Sequence, residues 1–297
     1  MTSEKMGSRE LGLVLAQQLL GVEDLHYGLW DNDLEPSLGN LVQAQQRYSE
    51  MLIGTLPAPT ASAASGAAPV RVLDIGCGTG HLLGMLLDRG YEADGVIPAP
   101  YLAKLVREQQ ARRADRPSRL FECNFEDFPA DAHRQHYDVA LFSESFQYID
   151  MNTALRLVQQ IVRPGGLMVI CDFFKTEHHG DGGPGDRSFG GGHPLAEFYR
   201  RVQATPLECV RDDDITAKVS PNIELVNELL LNKVKPAGLT LDRYLGGRYP
   251  WLWWLVRRLL RKKLDRANYK YFSGHRSRAT FERYKSYHLM VYRVPTR

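Results

Sequence analysis

Two places in this 297-residue chain carry residue types at a spacing that could do chemistry. The first is Asp74 with Gly76, Cys77, Gly78 and Gly80, in Val70-Arg-Val-Leu-Asp-Ile-Gly-Cys-Gly-Thr-Gly80. Glycines at alternate positions let a backbone turn sharply and approach a ligand that a Cβ would push away. The spacing Gly-x-Gly-x-Gly is not the dinucleotide fingerprint Gly-x-Gly-x-x-Gly, and no Gly-Lys-Ser/Thr follows to grip a phosphate. The second place is Phe142-Ser143-Glu144-Ser145-Phe146-Gln147-Tyr148-Ile149-Asp150. A carboxylate such as Glu144, just past an apolar run, can take a proton from a substrate or stabilise a carbocation. It can equally anchor a ligand or a neighbouring backbone amide. His178, His179 and His193 invite a metal reading. Adjacent histidines point apart on most backbones, however, and no Cys or acidic cluster completes a ligand set, so no metal is expected.

Both places need a strand to present them. Val70–Ile75 is a short apolar run ending in the glycines, and a helical pattern starts near His81. Strands are expected at Tyr91–Val96, Arg119–Cys123, Tyr137–Phe142 and Leu167–Phe174, with helices at Ala99–Ala111 and Asp150–Val162 between them. Arg163-Pro164-Gly165-Gly166 reads as a turn. Alternation of this kind calls for a parallel sheet with helices on both faces, which binds ligands beyond the carboxyl ends of its strands. The loops after residues 75, 96, 123, 142 and 174 are therefore the ones that matter.

Outside this core, Arg9–Leu20 and Ser37–Leu56 read as helices, and Pro57–Pro69 as an Ala/Ser/Pro-rich linker. Residues 1–56 form a helical lid in this reading, and 70–297 one domain with a helical insertion at about 211–285. Lys175–His193 is a long Gly-rich loop, read as mobile and able to close over a substrate. Helices are expected at Pro194–Gln203, Ile223–Lys233 and Trp251–Ala267. Leu207–Val210 reads as a strand, and Tyr287–Val294 as the late edge strand of the sheet.

The chain is 43% hydrophobic, enough for a sizeable core, with no apolar run long enough to span a bilayer. The first twenty residues mix charged and apolar positions, unlike a signal peptide. Cys77, Cys123, Cys171 and Cys209 are far apart and read as reduced, mostly buried thiols of a cytoplasmic protein. The net charge of +2 hides an asymmetry: residues 243–297 carry fifteen Lys and Arg against Asp265 and Glu282. A basic end on an acidic body suits an anionic partner.

The stretch Val70–Gly80 closely resembles motif I of class I S-adenosylmethionine (SAM) dependent methyltransferases. The resemblance implies a Rossmann-like α/β fold, a seven-stranded sheet with helices on both faces, and SAM as cofactor. It places Asp74 near the methionine end of SAM and the loop Gly76, Cys77, Gly78, Gly80 beneath it. Ile97 stands where the family usually has an acid for the ribose hydroxyls, as in lipid-modifying branches. It would pack on the adenosine. Asn124 and Phe125 occupy the adenine-contacting segment. The segment after the fourth strand resembles that of methyltransferases acting on lipophilic acceptors: sterols, tocopherols and prenyl diphosphates. Its Glu-Ser-x-x-Tyr-Ile-Asp pattern looks most like the prenyl diphosphate C-methyltransferases, with Glu144 and Tyr148 as catalytic candidates and Ser143 at the cofactor. His26-Tyr27-Gly28-Leu29-Trp30 resembles the lid segment of these branches and puts Tyr27 against the cofactor. Asp213-Asp214-Ile215-Thr216 resembles their post-strand-six segment.

The implied function is SAM-dependent methyl transfer to a small lipophilic acceptor, with a prenyl diphosphate or lipid C-methyltransferase as the narrower form. Two rivals are a SAM-binding protein without turnover and an RNA methyltransferase using the basic tail. No RNA-binding module is recognisable, and the tail interleaves bulky apolar residues at helical period. The aromatics Tyr27, Trp30, Tyr148, Trp251, Trp253, Trp254, Tyr269, Tyr271 and Phe272 could wall a pocket or simply pack. Three readings fit Trp251–Ala267: a helix covering the core with a solvated basic back, a helix lying on an anionic membrane, or a source of cations for a substrate diphosphate.

Overall fold

The computed structural model describes residues 18, 21–24, 26–31, 33–59, 68–113 and 115–296. Apart from residue 18, the helix expected over Arg9–Leu20 lies outside the described residues, as does the middle of the linker.

Among those residues, one sheet holds seven strands: β1 (Arg71–Ile75), β2 (Glu92–Val96), β3 (Leu120–Phe121), β4 (Tyr137–Ser143), β5 (Val162–Lys175), β6 (Glu208–Asp214) and β7 (Lys285–Arg293). Their order is β3-β2-β1-β4-β5-β7-β6. The first five pair in parallel, and β7 runs antiparallel to both β5 and β6. The expected seven-stranded α/β class is met. The central strands are continuous apolar runs because both faces are covered. Val139 and Leu141 face one core layer with Val72 and Leu83. Ala140 and Phe142 face the other with Ile75 and Ile161.

The helices are α1 (Leu41–Ile53), α2 (His81–Asp88), α3 (Pro100–Ala111), α4 (Met151–Ile161) and α5 (Leu195–Gln203). Between β6 and β7 come α6 (Thr216–Val219), α7 (Pro221–Leu229), α8 (Lys235–Arg248), α9 (Pro250–Ala267) and α10 (Arg278–Tyr284). Two local devices fix the site-bearing ends. Asp150 caps α4 by accepting from the Thr153 amide at 2.9 Å. Pro100 opens α3, where its missing N–H costs nothing.

Three expectations are corrected. The strand ending the chain is not at the edge: β7 sits between β5 and β6, with Lys285 through Tyr292 all buried. Eight buried residues in a row show both faces of β7 covered, Tyr287, Leu289 and Val291 by one core layer and Met290 and Tyr292 by the other. The true edge is β6, whose Glu208, Arg211, Asp212 and Asp214 suit an exposed rim. The Arg163–Gly166 turn is a bulge inside β5, since Tyr137 pairs with Val162 and Val139 already pairs with Leu167. Cys209 is exposed on the edge strand, while Cys77 and Cys171 are buried.

Candidate active site

The loop after β1 turns through three positive φ angles, +79° at Gly76, +54° at Gly78 and +84° at Gly80. The Gly76 amide donates to the Val96 carbonyl at 2.8 Å, tying the loop to the end of β2. A Cβ on Gly76 would lie 2.4 Å from the Cβ of Ser145, whose hydroxyl in turn donates to the Ile75 carbonyl. Gly76 is thus required by packing between the β1 and β4 loops. We expect Gly76→Ala to destabilise the fold by about 2 kcal/mol or more, from the left-handed backbone and the collision together. Thermal unfolding measures it, and an unchanged midpoint would contradict the close approach.

Asp74 lies one residue before that loop, only 1% exposed. Neither carboxylate oxygen has a hydrogen-bond partner among the described residues. Burial, with the nearby Asp24 carboxylate, pushes its carboxyl up to about 7. Buried acids crowd this end of the sheet. Asp172 is pushed up to about 8, chiefly by burial, although it accepts from the Gln147 and Phe173 amides. Glu144 is raised by burial too. His26 sits among them, its Nε2 3.2 Å from Asp24. Burial opposes its charge, but Asp24 and Glu144 outweigh this and raise it. A buried carboxylate without a partner, when ionised, calls for a cation.

Glu144 holds φ +52°, a conformation rare outside glycine and found where a surrounding structure enforces it. Its Oε1 accepts from the Tyr27 amide at 2.8 Å and from the Tyr287 hydroxyl at 2.7 Å. Oε2 carries no hydrogen bond among the described residues. The Tyr287 hydroxyl continues to Tyr48 at 3.0 Å, and Tyr48 reaches Ser143 at 3.3 Å and stacks on His26 at 4.2 Å. Tyr27 belongs to an irregular segment bolted across the site. Gly28 exchanges two hydrogen bonds with Asn222, Leu29 donates to Ala44, and Trp30 donates to Lys218. Gly28 is needed there, since a Cβ would meet that of Ala44 at 2.5 Å.

The structure therefore brings together Tyr27, Asp74, Gly76, Gly78, Gly80, Ser143 and Glu144. Ile97, at the end of β2, is buried and donates its amide to Phe121 at 3.0 Å. Cys77 is buried, its sulfur close against Gly95. Asn124 is exposed and donates to Asp127 at 3.3 Å. Phe125 departs from the expectation: its ring is core, edge-on to Phe142 at 5.6 Å, which leaves only its backbone to face a ligand. Tyr148 is 58% exposed and stands at the rim, outside the buried cluster. Sequence reasoning missed Asp24, Tyr48, Asp172, Tyr287 and Asn222. Their partners lie up to 239 residues away, and each reads locally as an ordinary helix, strand or loop position.

The Gly-rich loop is laced to the body, not loose: Lys285 donates to the Gly191 carbonyl at 2.6 Å and Arg283 pairs with Asp181 at 2.7 Å. Its histidines diverge. His193 reaches the Ile149 carbonyl, His179 faces Asp186 and His178 faces Glu177. No cluster of three or more metal-ligating side chains occurs among the described residues. A cleft of about 590 Å³ lined by Arg71, Tyr91, Asp94 and His136 opens at the opposite ends of the strands. It is away from the carboxyl ends, where parallel sheets bind ligands.

A family model described as a methyltransferase domain matches residues 44–203. The chain is 29% identical over 113 residues to sterol 4-C-methyltransferase strm-1 of Caenorhabditis elegans, covering 37% of this chain and 33% of that protein. The match thus spans about a third of the length of that relative. Among solved structures, geranyl diphosphate C-methyltransferase from Streptomyces coelicolor A3(2), crystallised with Mg²⁺, geranyl diphosphate and S-adenosyl-L-homocysteine, superposes with a TM-score of 0.64. It is 17% identical, with 93% of this chain and 92% of that one covered. The [4+2]-cyclase SpnF superposes at 0.63 with 18% identity over 98% and 97% of the two chains. At such identities the structural likeness establishes the fold.

Proposed function

This chain belongs to the methyltransferase-domain family, and from that premise we propose that it transfers a methyl group from SAM to a small lipophilic acceptor, in its narrower form to carbon of a prenyl diphosphate or lipid. The observation that carries the reading is the Glu144 carboxylate, fixed through one oxygen with the other free, at the same end of the sheet as the unpartnered carboxylate of Asp74, both within the influence of Asp24 and His26. The residues fit the cofactor. Asp74 offers a buried anion to a cationic ligand, the loop Gly76–Gly80 offers bare backbone, and Ile97 offers an apolar surface for the adenosine. Asn124 and the Phe125 backbone would serve the adenine, as Tyr27, Cys77 and Ser143 would the rest of the molecule. SAM, when bound, supplies an activated methyl group on a sulfonium, so the chain's own work is positioning, water exclusion and proton handling.

Glu144 is the residue we assign to the acceptor. Tyr27 and Tyr287 hold Oε1, which leaves Oε2 to stabilise positive charge on an acceptor carbon and then take its proton. Burial raises the Glu144 carboxyl towards the range useful for a base. Tyr148, at the rim, would border the acceptor as it enters. A carboxylate base with aromatic rings close by, Phe281 and Tyr287 against Tyr27 and Phe173 behind them, suits an apolar acceptor better than a nucleotide. The sterol and prenyl substrates named for the relatives agree with that chemistry. The reading places the protein in the cytoplasm, peripheral to the membrane that holds such acceptors.

The test is incubation of purified protein with methyl-labelled SAM and separate lipid, terpenoid and RNA fractions. Label is expected in material that partitions into organic solvent, directly for a lipid or after phosphatase treatment for a prenyl diphosphate. Label in RNA would overturn the acceptor class.

A further inference from the structure

We propose that the hairpin formed by α8 and α9 is a docking element for an anionic lipid bilayer. No residue of either helix is buried, so the reading of α9 as a cover for the core fails. The hairpin is held together by itself. Trp253 donates its indole N–H to Asp242 at 2.9 Å, Arg257 lies 3.5 Å from the same carboxylate, and Lys235 donates to the Phe272 carbonyl at 2.9 Å. On the 3.6-residue period the side of α9 turned away from these contacts holds Trp251, 73% exposed, Leu255 and Leu259, 74% exposed, with Leu252 and Trp254 open to solvent on its two flanks. Most large apolar side chains exposed in the described structure lie between Val234 and Tyr269. A soluble surface rarely leaves a patch of this kind uncovered.

Charge decides what covers it. Residues 235–272 hold ten Lys and Arg against Asp242 and Asp265. Arg258 lies over the Trp254 ring at 5.6 Å, and Lys262, Lys263 and Arg266 continue along α9. A second copy would set two strongly positive surfaces face to face, which electrostatics opposes. An anionic lipid surface supplies both the apolar phase and the negative charge, and tryptophan settles at head-group depth. No helix among the described residues is long and apolar enough to cross a membrane, so the element lies on the surface.

This deepens the reading of a lipophilic acceptor, and its test needs no SAM, so failure to dock and failure to methylate are read separately. The probes are vesicles of phosphatidylcholine alone and of phosphatidylcholine with phosphatidylglycerol, in co-sedimentation at low and high salt. The full chain is expected to pellet with the anionic vesicles only, and less at high salt. Trp251→Ser with Leu259→Ser, and Arg258→Glu with Lys262→Glu, should each weaken binding roughly tenfold or more. All four side chains are exposed, and an unchanged melting temperature would verify folding. Wild type remaining in the supernatant with anionic vesicles at low salt overturns the proposal. So does sedimentation as a dimer that the serine pair dissociates, with no vesicle binding, since the occupant is then a second copy.

Discussion

Glu144→Gln is expected to lower turnover on the order of a hundredfold or more while SAM affinity stays within a few-fold of wild type. Glutamine keeps the side chain's size and one carbonyl oxygen. That oxygen can still accept from the Tyr27 amide and the Tyr287 hydroxyl, so the segment over the site stays bolted. What is lost is the negative charge and the free basic oxygen. In the wild type the base must be ionised, so activity should fall as pH drops through its raised carboxyl. The glutamine variant should lose that acidic limb in its residual rate. Rates from methyl-labelled SAM and affinities from calorimetry separate two roles. If SAM binding falls in parallel with turnover, Glu144 is an anchor for the cofactor and not a base.

Asp74→Asn is expected to weaken SAM binding by about tenfold to a hundredfold, the worth of a charge-assisted contact in a buried site. The same change should stabilise the empty protein at alkaline pH. The sign follows from the raised carboxyl: its folded value of about 7 lies above the unfolded value of 3.8. Stability is therefore fully present below pH 4 and lost as pH rises through 7, because ionisation is free in the unfolded chain and opposed in the fold. Asparagine removes that loss. A cationic ligand reverses the preference, so wild-type affinity for SAM should rise with pH up to about 7 and then level off. Calorimetry in buffers of different ionisation enthalpy would show proton release on binding near neutral pH. An asparagine variant that binds SAM as tightly as wild type would show that the unpartnered carboxylate has another purpose.

The sheet and its ligand end were legible because they rest on local patterns. Continuous apolar runs, alternating with helical ones, are what a sheet covered on both faces requires, and Gly76, Gly78 and Gly80 announce their own backbone angles. The position of β7 was not legible. A buried strand reads the same beside β5 alone as between β5 and β6, and only pairing with the charged strand β6 reveals the difference. For Glu144 the sequence left anchor and base open as alternatives; what it did not show is that one oxygen is held twice while the other is free. That arrangement depends on Tyr27 and Tyr287, 117 and 143 residues away. The sequence placed Phe125 in its loop but not the direction of its ring, which turns into the core against Phe142. The helix Pro250–Ala267 showed its amphipathic period in sequence, yet period does not say whether the apolar stripe meets a core or a bilayer.

Fold alone does not fix the reaction, since the [4+2]-cyclase among the structural relatives carries a different activity in its name. The decisive measurement is therefore turnover of SAM itself by wild-type protein with the lipid fraction that takes the label. S-adenosylhomocysteine should accumulate in many equivalents per protein, matched by methylated lipid, and should stop at the Glu144→Gln level in that variant. SAM recovered intact after saturating the site would contradict methyl transfer by this chain.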